Sequence, residues 1–194
     1  MALELQNAVT PLVAEILGAE LRVMPTWLMR PGRRECRARW PLIQEIYAEL
    51  TGGGCLPEAM PPRERRQVDA ILIVGGESRI LEIDERQHFN RFRALTLRRY
   101  AGQISLAFPA AEWIAAGEAK KRLEGGGFGK PRPPLFPEDG GRHLQRAFRD
   151  ALADILPGEH GWLPTLRIAD FEVASWINGP EAKPRMSALL ANRL

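Results

Sequence analysis

A chain of 194 residues, 45% hydrophobic and 26% charged, is long enough to bury one good core, and its composition excludes wholesale disorder. No apolar run approaches the ~20 residues that span a bilayer, so no membrane partner is expected. Lys and Arg number 27 against 24 Asp and Glu, a net charge of only +3, and just four of the cations are Lys. An arginine excess suits bidentate phosphate binding, and it is also what a GC-rich coding sequence supplies. Cys36 and Cys55 lack metal-ligand or redox spacing, and the first residues carry acids with no basic leader, so a reducing cytoplasm is expected.

The length predicts a single domain over 1–194, with 1–40 as an N-terminal extension and 125–141 as a loop insertion. Leu5, Val9, Leu12, Val13, Ile16 and Leu17 fall near helical spacing, and Thr10-Pro11 reads as an N-cap followed by Pro at the first helical position. Two short helices or one kinked helix fit equally. Residues 21–40, with Pro25, Pro31 and five arginines, read as extended or looped and exposed. Ile43, Ile46, Tyr47 and Leu50 then form an i, i+3, i+4, i+7 stripe, a helix over 41–50 that Gly52–Gly54 ends.

Val68–Val74 and Arg79–Ile83 are apolar runs of the kind found in strands buried on both faces, and Gly75-Gly76-Glu77-Ser78 between them signals a hairpin. The pattern predicts helices over 89–100 and 110–123 and a third strand over 104–108. Gly and Pro make 125–141 a loop or mobile insertion. Leu144, Phe148, Ala151, Leu152 and Ile155 mark an amphipathic helix closed by Pro157-Gly158, and 165–173 reads as the last strand. The tail past Trp176 is weakly patterned.

If the hairpin turns about Gly76 and Glu77, Val74 pairs with Arg79 and Asp69 falls opposite Asp84. Period-two alternation then sets Asp69, Glu82 and Asp84 on one face. Three carboxylates this close raise one another's pKa unless a cation or proton sits between them, and an all-oxygen set suits Mg²⁺ or Mn²⁺ better than Zn²⁺. A metal so held activates water and neutralises charge developing on a phosphate. The plain alternative is a solvated acidic rim paired with Arg86, Arg91 and Arg93.

The stretch VDAILIVGGESRILEIDERQHF resembles the active-site core of the PD-(D/E)XK nuclease superfamily, in which an acid on one strand is followed, after a hairpin, by (D/E)-x-K on the next. EIDERQHF with Arg93 and Leu97 is similar to the very-short-patch-repair-like branch, whose members show E-x-D-x-x-x-H. The likeness covers residues 45–102, and Arg146, Phe148, Arg149, Asp150 and Leu152, with the strand TLRI, match the fold's later helix and final strand. It implies an α/β fold with a restriction-endonuclease-like αβββαβ core, a mixed central sheet flanked by helices.

Carried over residue by residue, the resemblance makes Asp69 and Glu82 metal ligands, with an early helical acid, Glu45, completing the set. The superfamily lysine is replaced by Asp84. Asp84 is then a third ligand or a general base, Gln87 orients water, and His88 matches the branch's histidine as a ligand or proton carrier. Water activation falls to Asp84, Gln87 or His88, or to water on the metal. Arg65 and Arg66 before the acidic strand, and Arg91 and Arg93 after it, would hold phosphates on either side of a scissile bond.

The implied activity is a Mg²⁺- or Mn²⁺-dependent endonuclease acting on DNA, or on RNA, alone or as a homodimer, in restriction, phage defence or repair. The missing lysine motivates an alternative, a non-catalytic nucleic-acid or protein-binding module that keeps the nuclease fold. A third reading is an unrelated α/β domain whose acids only form salt bridges, which Asp69 and Glu82 on opposite faces would establish.

Overall fold

The computed structural model describes residues 2–64, 66–123, 127 and 129–194. Its centre is the hairpin of β2 (Ala70–Val74) and β3 (Glu77–Asp84), joined by a two-residue turn at Gly75 and Gly76. Both glycines have positive φ, +58° and +88°, the backbone that a tight hairpin turn demands and side chains resist. Val74 therefore pairs with Glu77 instead of Arg79, and the register is offset by two residues from the symmetric expectation. A two-residue offset preserves which face each side chain takes.

The short strand β1 (Glu20–Arg22) pairs antiparallel with β2, and β4 (Leu166–Ala169) pairs parallel with β3, giving a mixed sheet in the order β1-β2-β3-β4. A parallel β3–β4 pair needs a long crossover. Here it is made by α5 (Arg91–Tyr100), α6 (Ala110–Ala119) and α7 (Gly141–Glu159). Ile104–Phe108 does not form the expected third strand; Ala107 alone bridges to Leu166.

Helices flank both faces. Leu72, Leu81, Ile83, Leu166 and Ile168 pack under α1 (Ala2–Leu17) and α9 (Ala182–Ala191), through Val9, Val13, Met186 and Leu190. The other face meets α7 and the turn α2 (Thr26–Met29): Ile71 and Ile80 cluster with Leu28 and Ala153. Outside α7 lies the largest apolar cluster, built with α4 (Trp40–Thr51), α5 and α6.

Several segments differ from the sequence reading. The first helix runs unbroken through Pro11, since buried Val9 and Val13 outweigh one lost backbone bond. Residues expected as an exposed extension hold short turns, α2 and α3 (Arg33–Cys36), that bury Leu28 and Cys36. The Gly/Pro-rich insertion supplies buried Leu135 and Phe136, and Tyr47 Oη donates to the Leu135 carbonyl at 2.8 Å. The last strand stops at Ala169, where α8 (Asp170–Val173) begins, and the weakly patterned tail contains α9.

Candidate active site

On β3 the residues facing α7 read Ile80, Glu82, Asp84, and on β4 Arg167 lies beside Glu82 in register. This face of the sheet is apolar near the hairpin and charged at its far end. The facing side of α7 is charged as well: Arg142, Arg146, Asp150 and Asp154 follow one another at i+4, with Arg149 three residues after Arg146. Between the sheet and the N-terminal half of α7 is a cleft of about 260 Å³ lined by Asp69, Glu82, Gln87 and His88 opposite Arg142, Arg146, Arg149 and Asp150.

Asp69 and Glu82 share this cleft, which excludes the opposite-face arrangement. Asp69 Oδ2 accepts from the Ile83 backbone N–H at 2.7 Å, and Glu82 Oε1 accepts from Arg66 Nη2 at 3.0 Å. The second oxygen of each has no protein partner among the described residues. Burial, together with the charge of Asp69, pushes the Glu82 carboxyl up to about 8 against the pull of Arg66 and Arg167. Burial also raises Asp69, partly countered by the Ile83 N–H and His88.

Asp84 does not join them. It is fully buried behind the cleft, where Oδ1 accepts from Arg167 Nη1 and Oδ2 from the Trp113 indole N–H, both at 2.6 Å. With both oxygens taken, it serves the wall of the site. Arg167 also reaches Asp154 at 2.7 Å and Asp150 at 3.6 Å, so the charge the sequence places nowhere near Glu82 arrives as a guanidinium from β4.

His88 sits at the end of a turn closed by its N–H to the Glu85 carbonyl, 2.7 Å. Its Nδ1 lies 3.0 Å from Asp150 and 3.4 Å from Asp84. Burial disfavours the imidazolium, yet Asp150 and Asp84 outweigh it and raise the histidine above its ordinary value. Burial likewise opposes charge on Asp150, and His88 and Arg167 overcome it to depress that carboxyl. Two carboxylates at Nδ1 keep that nitrogen protonated, while Nε2 has no protein partner among the described residues and the ring lines the cleft. Asp84, His88 and Asp150 are close enough together to hold a cation. Arg167 already neutralises two of them, while Asp69 and Glu82 each keep one oxygen without a protein partner among the described residues.

The remaining expected residues are dispersed. Glu45 is on the exposed side of α4 and takes no part in the cleft. Helical spacing placed it off the apolar stripe, and off the stripe is where it stays. Gln87 lines the cleft and donates to Glu85 at 3.4 Å. Arg66 is a buried wall residue that also donates to the Arg149 carbonyl at 2.6 Å. Arg93, placed by the Asn90 cap of α5, is fully buried against Asp154 and Tyr100 and cannot reach a phosphate. Arg91 is exposed above the Phe92 ring, outside the cleft, and Arg65 lies outside the described residues.

The sequence reading missed Asp150, Arg167 and the α7 arginines as site residues. The signals were present: a lone charge inside the apolar strand LRIA, and arginines at 142, 146 and 149 on an amphipathic helix. No helix among the described residues is long and apolar enough to cross a membrane. No protein-family model, curated protein or solved structure matches this chain.

Proposed function

We propose that this protein is a metal-dependent endonuclease that hydrolyses DNA phosphodiester bonds on a restriction-endonuclease-like core of the PD-(D/E)XK kind. The observation that carries the reading is the Asp69–Glu82 pair, side by side across a hairpin in a cleft whose opposite wall is arginine. Their open oxygens form a donor set for a hard divalent cation, and Mg²⁺ or Mn²⁺ there would neutralise charge developing on the phosphate.

The chain's own groups do the rest. The α7 arginines attract the phosphodiester and orient it toward the acids. His88, fixed at Nδ1 by Asp150 and Asp84, exchanges a proton at Nε2 with the attacking water or the departing oxygen. Asp84 supports His88 from behind, and Gln87 is placed to hold water.

Incubation of supercoiled DNA with the protein and Mg²⁺ or Mn²⁺ tests this. Wild type is expected to nick or linearise the plasmid, and Asp69→Ala to lower the rate by about a hundredfold or more, the effect of losing several kcal/mol. Equal cutting by the two proteins would remove the site from the chemistry. The Arg66–Glu82 bridge at 3.0 Å supports a second reading, a binding module whose acid is satisfied internally. Calorimetry separates the two, because that reading requires DNA binding with no heat of Mg²⁺ binding at cellular concentrations.

A further inference from the structure

The cleft wall formed by α7 has an electrostatic pattern that the metal site does not explain. Arg142, Arg146 and Arg149 lie on one helical face and all line the cleft. Like charges stacked on one helix face repel each other, and Arg142 stands in the first turn of α7, where the helix dipole is positive and no acid is present. Among the described residues Arg142 has no carboxylate hydrogen-bond partner: its guanidinium makes one hydrogen bond, to Gln145 Oε1 at 2.7 Å. Gln145 is itself anchored on buried Glu64 through Nε2, 2.9 Å from each oxygen, and Glu64 also takes Arg149 at 3.1 Å. Arg142 and Arg149 are thus held from behind, through Gln145 and Glu64, and all three arginines line the cleft. Burial, and then the charges of Arg146, Arg149 and Arg132, push Arg142 down to about 10. Burial lowers Arg146 too, against the pull of Asp150 and Glu85, and Arg149 and exposed Arg132 add repulsion.

A protein that holds cations together at such a cost gains most from an anion bound among them. We propose that Arg142, Arg146 and Arg149, continued outward by Arg132, form a phosphate track that seats successive phosphates of one nucleic-acid strand beside the Asp69–Glu82 pair. Residues 142 to 149 rise by roughly 10 Å along the helix, enough to meet neighbouring phosphates of one strand. Guanidinium forks suit the paired non-bridging oxygens of each phosphate. The inference deepens the nuclease reading and rests on it for the identity of the polymer.

Anisotropy titrations of a labelled duplex and a labelled single strand, in EDTA across a salt series, test the track without asking for cleavage. Arg142→Gln and Arg132→Gln are each expected to weaken binding by about tenfold at low salt, alike for unrelated sequences. Each should reduce the slope of log K against log salt by about one. Arg142→Lys, which keeps the charge and loses the fork, should restore the slope but only part of the affinity. Lys183→Ala, in an exposed pair with Glu15, serves as the unaffected control.

Exposed Arg132 keeps the test available should an Arg142 variant fail to fold. Unchanged slopes in folded Arg132→Gln and Arg142→Gln would overturn the track. So would inorganic phosphate or pyrophosphate binding that these changes abolish while DNA affinity stays intact, since that identifies a small-phosphate site. Cleavage by wild type with unaltered slopes in the variants leaves the nuclease standing and the track refuted. Reduced slopes with no cleavage under any metal refute the nuclease and keep the track.

Discussion

The two ends of α7 use arginine and carboxylate in opposite ways. At its C-terminal half, Arg93 and Arg167 are fully buried and met by Asp84, Asp150 and Asp154, with Tyr100 and Trp113 completing the hydrogen bonds. Burial penalises both guanidiniums, yet the surrounding charges outweigh it and raise them above their ordinary value. At the N-terminal half, burial lowers Arg66 and Arg146 despite the pull of Glu82, Glu85 and Asp150, and at Arg142 neighbouring arginines add to the effect of burial. The first set is closed electrostatically and acts as scaffold. The second lines a cleft, and within it Arg142 makes no carboxylate hydrogen bond among the described residues, unlike the guanidiniums of the first set.

The sharpest way to break this contrast is to remove an acid from the closed end. Asp154 accepts from Arg167 Nε and Arg93 Nη2 at 2.7 Å and from Tyr100 Oη at 2.5 Å. Asp154→Ala strands the buried guanidinium of Arg93, takes one of three carboxylates from Arg167, and is expected to cost about 3–5 kcal/mol in urea unfolding. Arg142→Gln, on the same helix, should leave stability unchanged or slightly higher, because it removes a repelled cation. If the two variants lost similar stability, the distinction between scaffold and ligand-directed arginine would collapse.

How far this division could be read from the sequence depends on the range of the interactions. Local rules worked where one strand decides: the alternation Ile80, Leu81, Glu82, Ile83, Asp84 sets the acids on one face, and the Gly-Gly signal locates the hairpin within two residues. The shared cleft of Asp69 and Glu82 follows from parity alone. Asp84 failed for a nonlocal reason, since its partners Trp113 and Arg167 are 29 and 83 positions away. Flanking arginines suggested phosphate contacts by proximity in sequence, but the Asn90 cap turns Arg93 inward, and the cleft takes its cations from a helix far along the chain. Leu135 and Phe136 were hidden by the Gly/Pro-rich composition around them, which describes backbone freedom and not what two apolar anchors do.

A smaller effect probes the back of the closed set. The Trp113 indole N–H donates to Asp84 at 2.6 Å, and the ring packs against Phe89 and Phe108. Trp113→Phe keeps an aromatic body and removes a hydrogen bond to a buried charge, for a loss of about 1.5–3 kcal/mol. If Asp84 steadies His88 as the geometry indicates, the same variant also shifts the histidine titration seen by NMR. A histidine unmoved by that change would leave Asp150 as its sole electrostatic support.

The mildest test sets the pH dependence of the open end against that of the closed one. Glu82 holds its proton up to about 8 in the folded protein, against 4.5 for an unperturbed glutamate. The folded state therefore binds more protons than the unfolded state between those values. Its contribution to stability is complete below about 4.5, declines as pH rises, and is gone once pH passes about 8. The slope is at most about 1.4 kcal/mol per pH unit. Glu82→Gln has no proton to lose, so in EDTA the gap between variant and wild type should widen in the variant's favour from pH 5 to 8 and then level. Asp150, depressed by His88 and Arg167, runs the other way: its contribution is present above the unfolded carboxylate value and disappears only as pH falls through the folded one. Parallel stability profiles for wild type and Glu82→Gln across pH 5–8 would mean that Arg66 keeps Glu82 ionised. The cleft would then be as electrostatically closed as the network behind it.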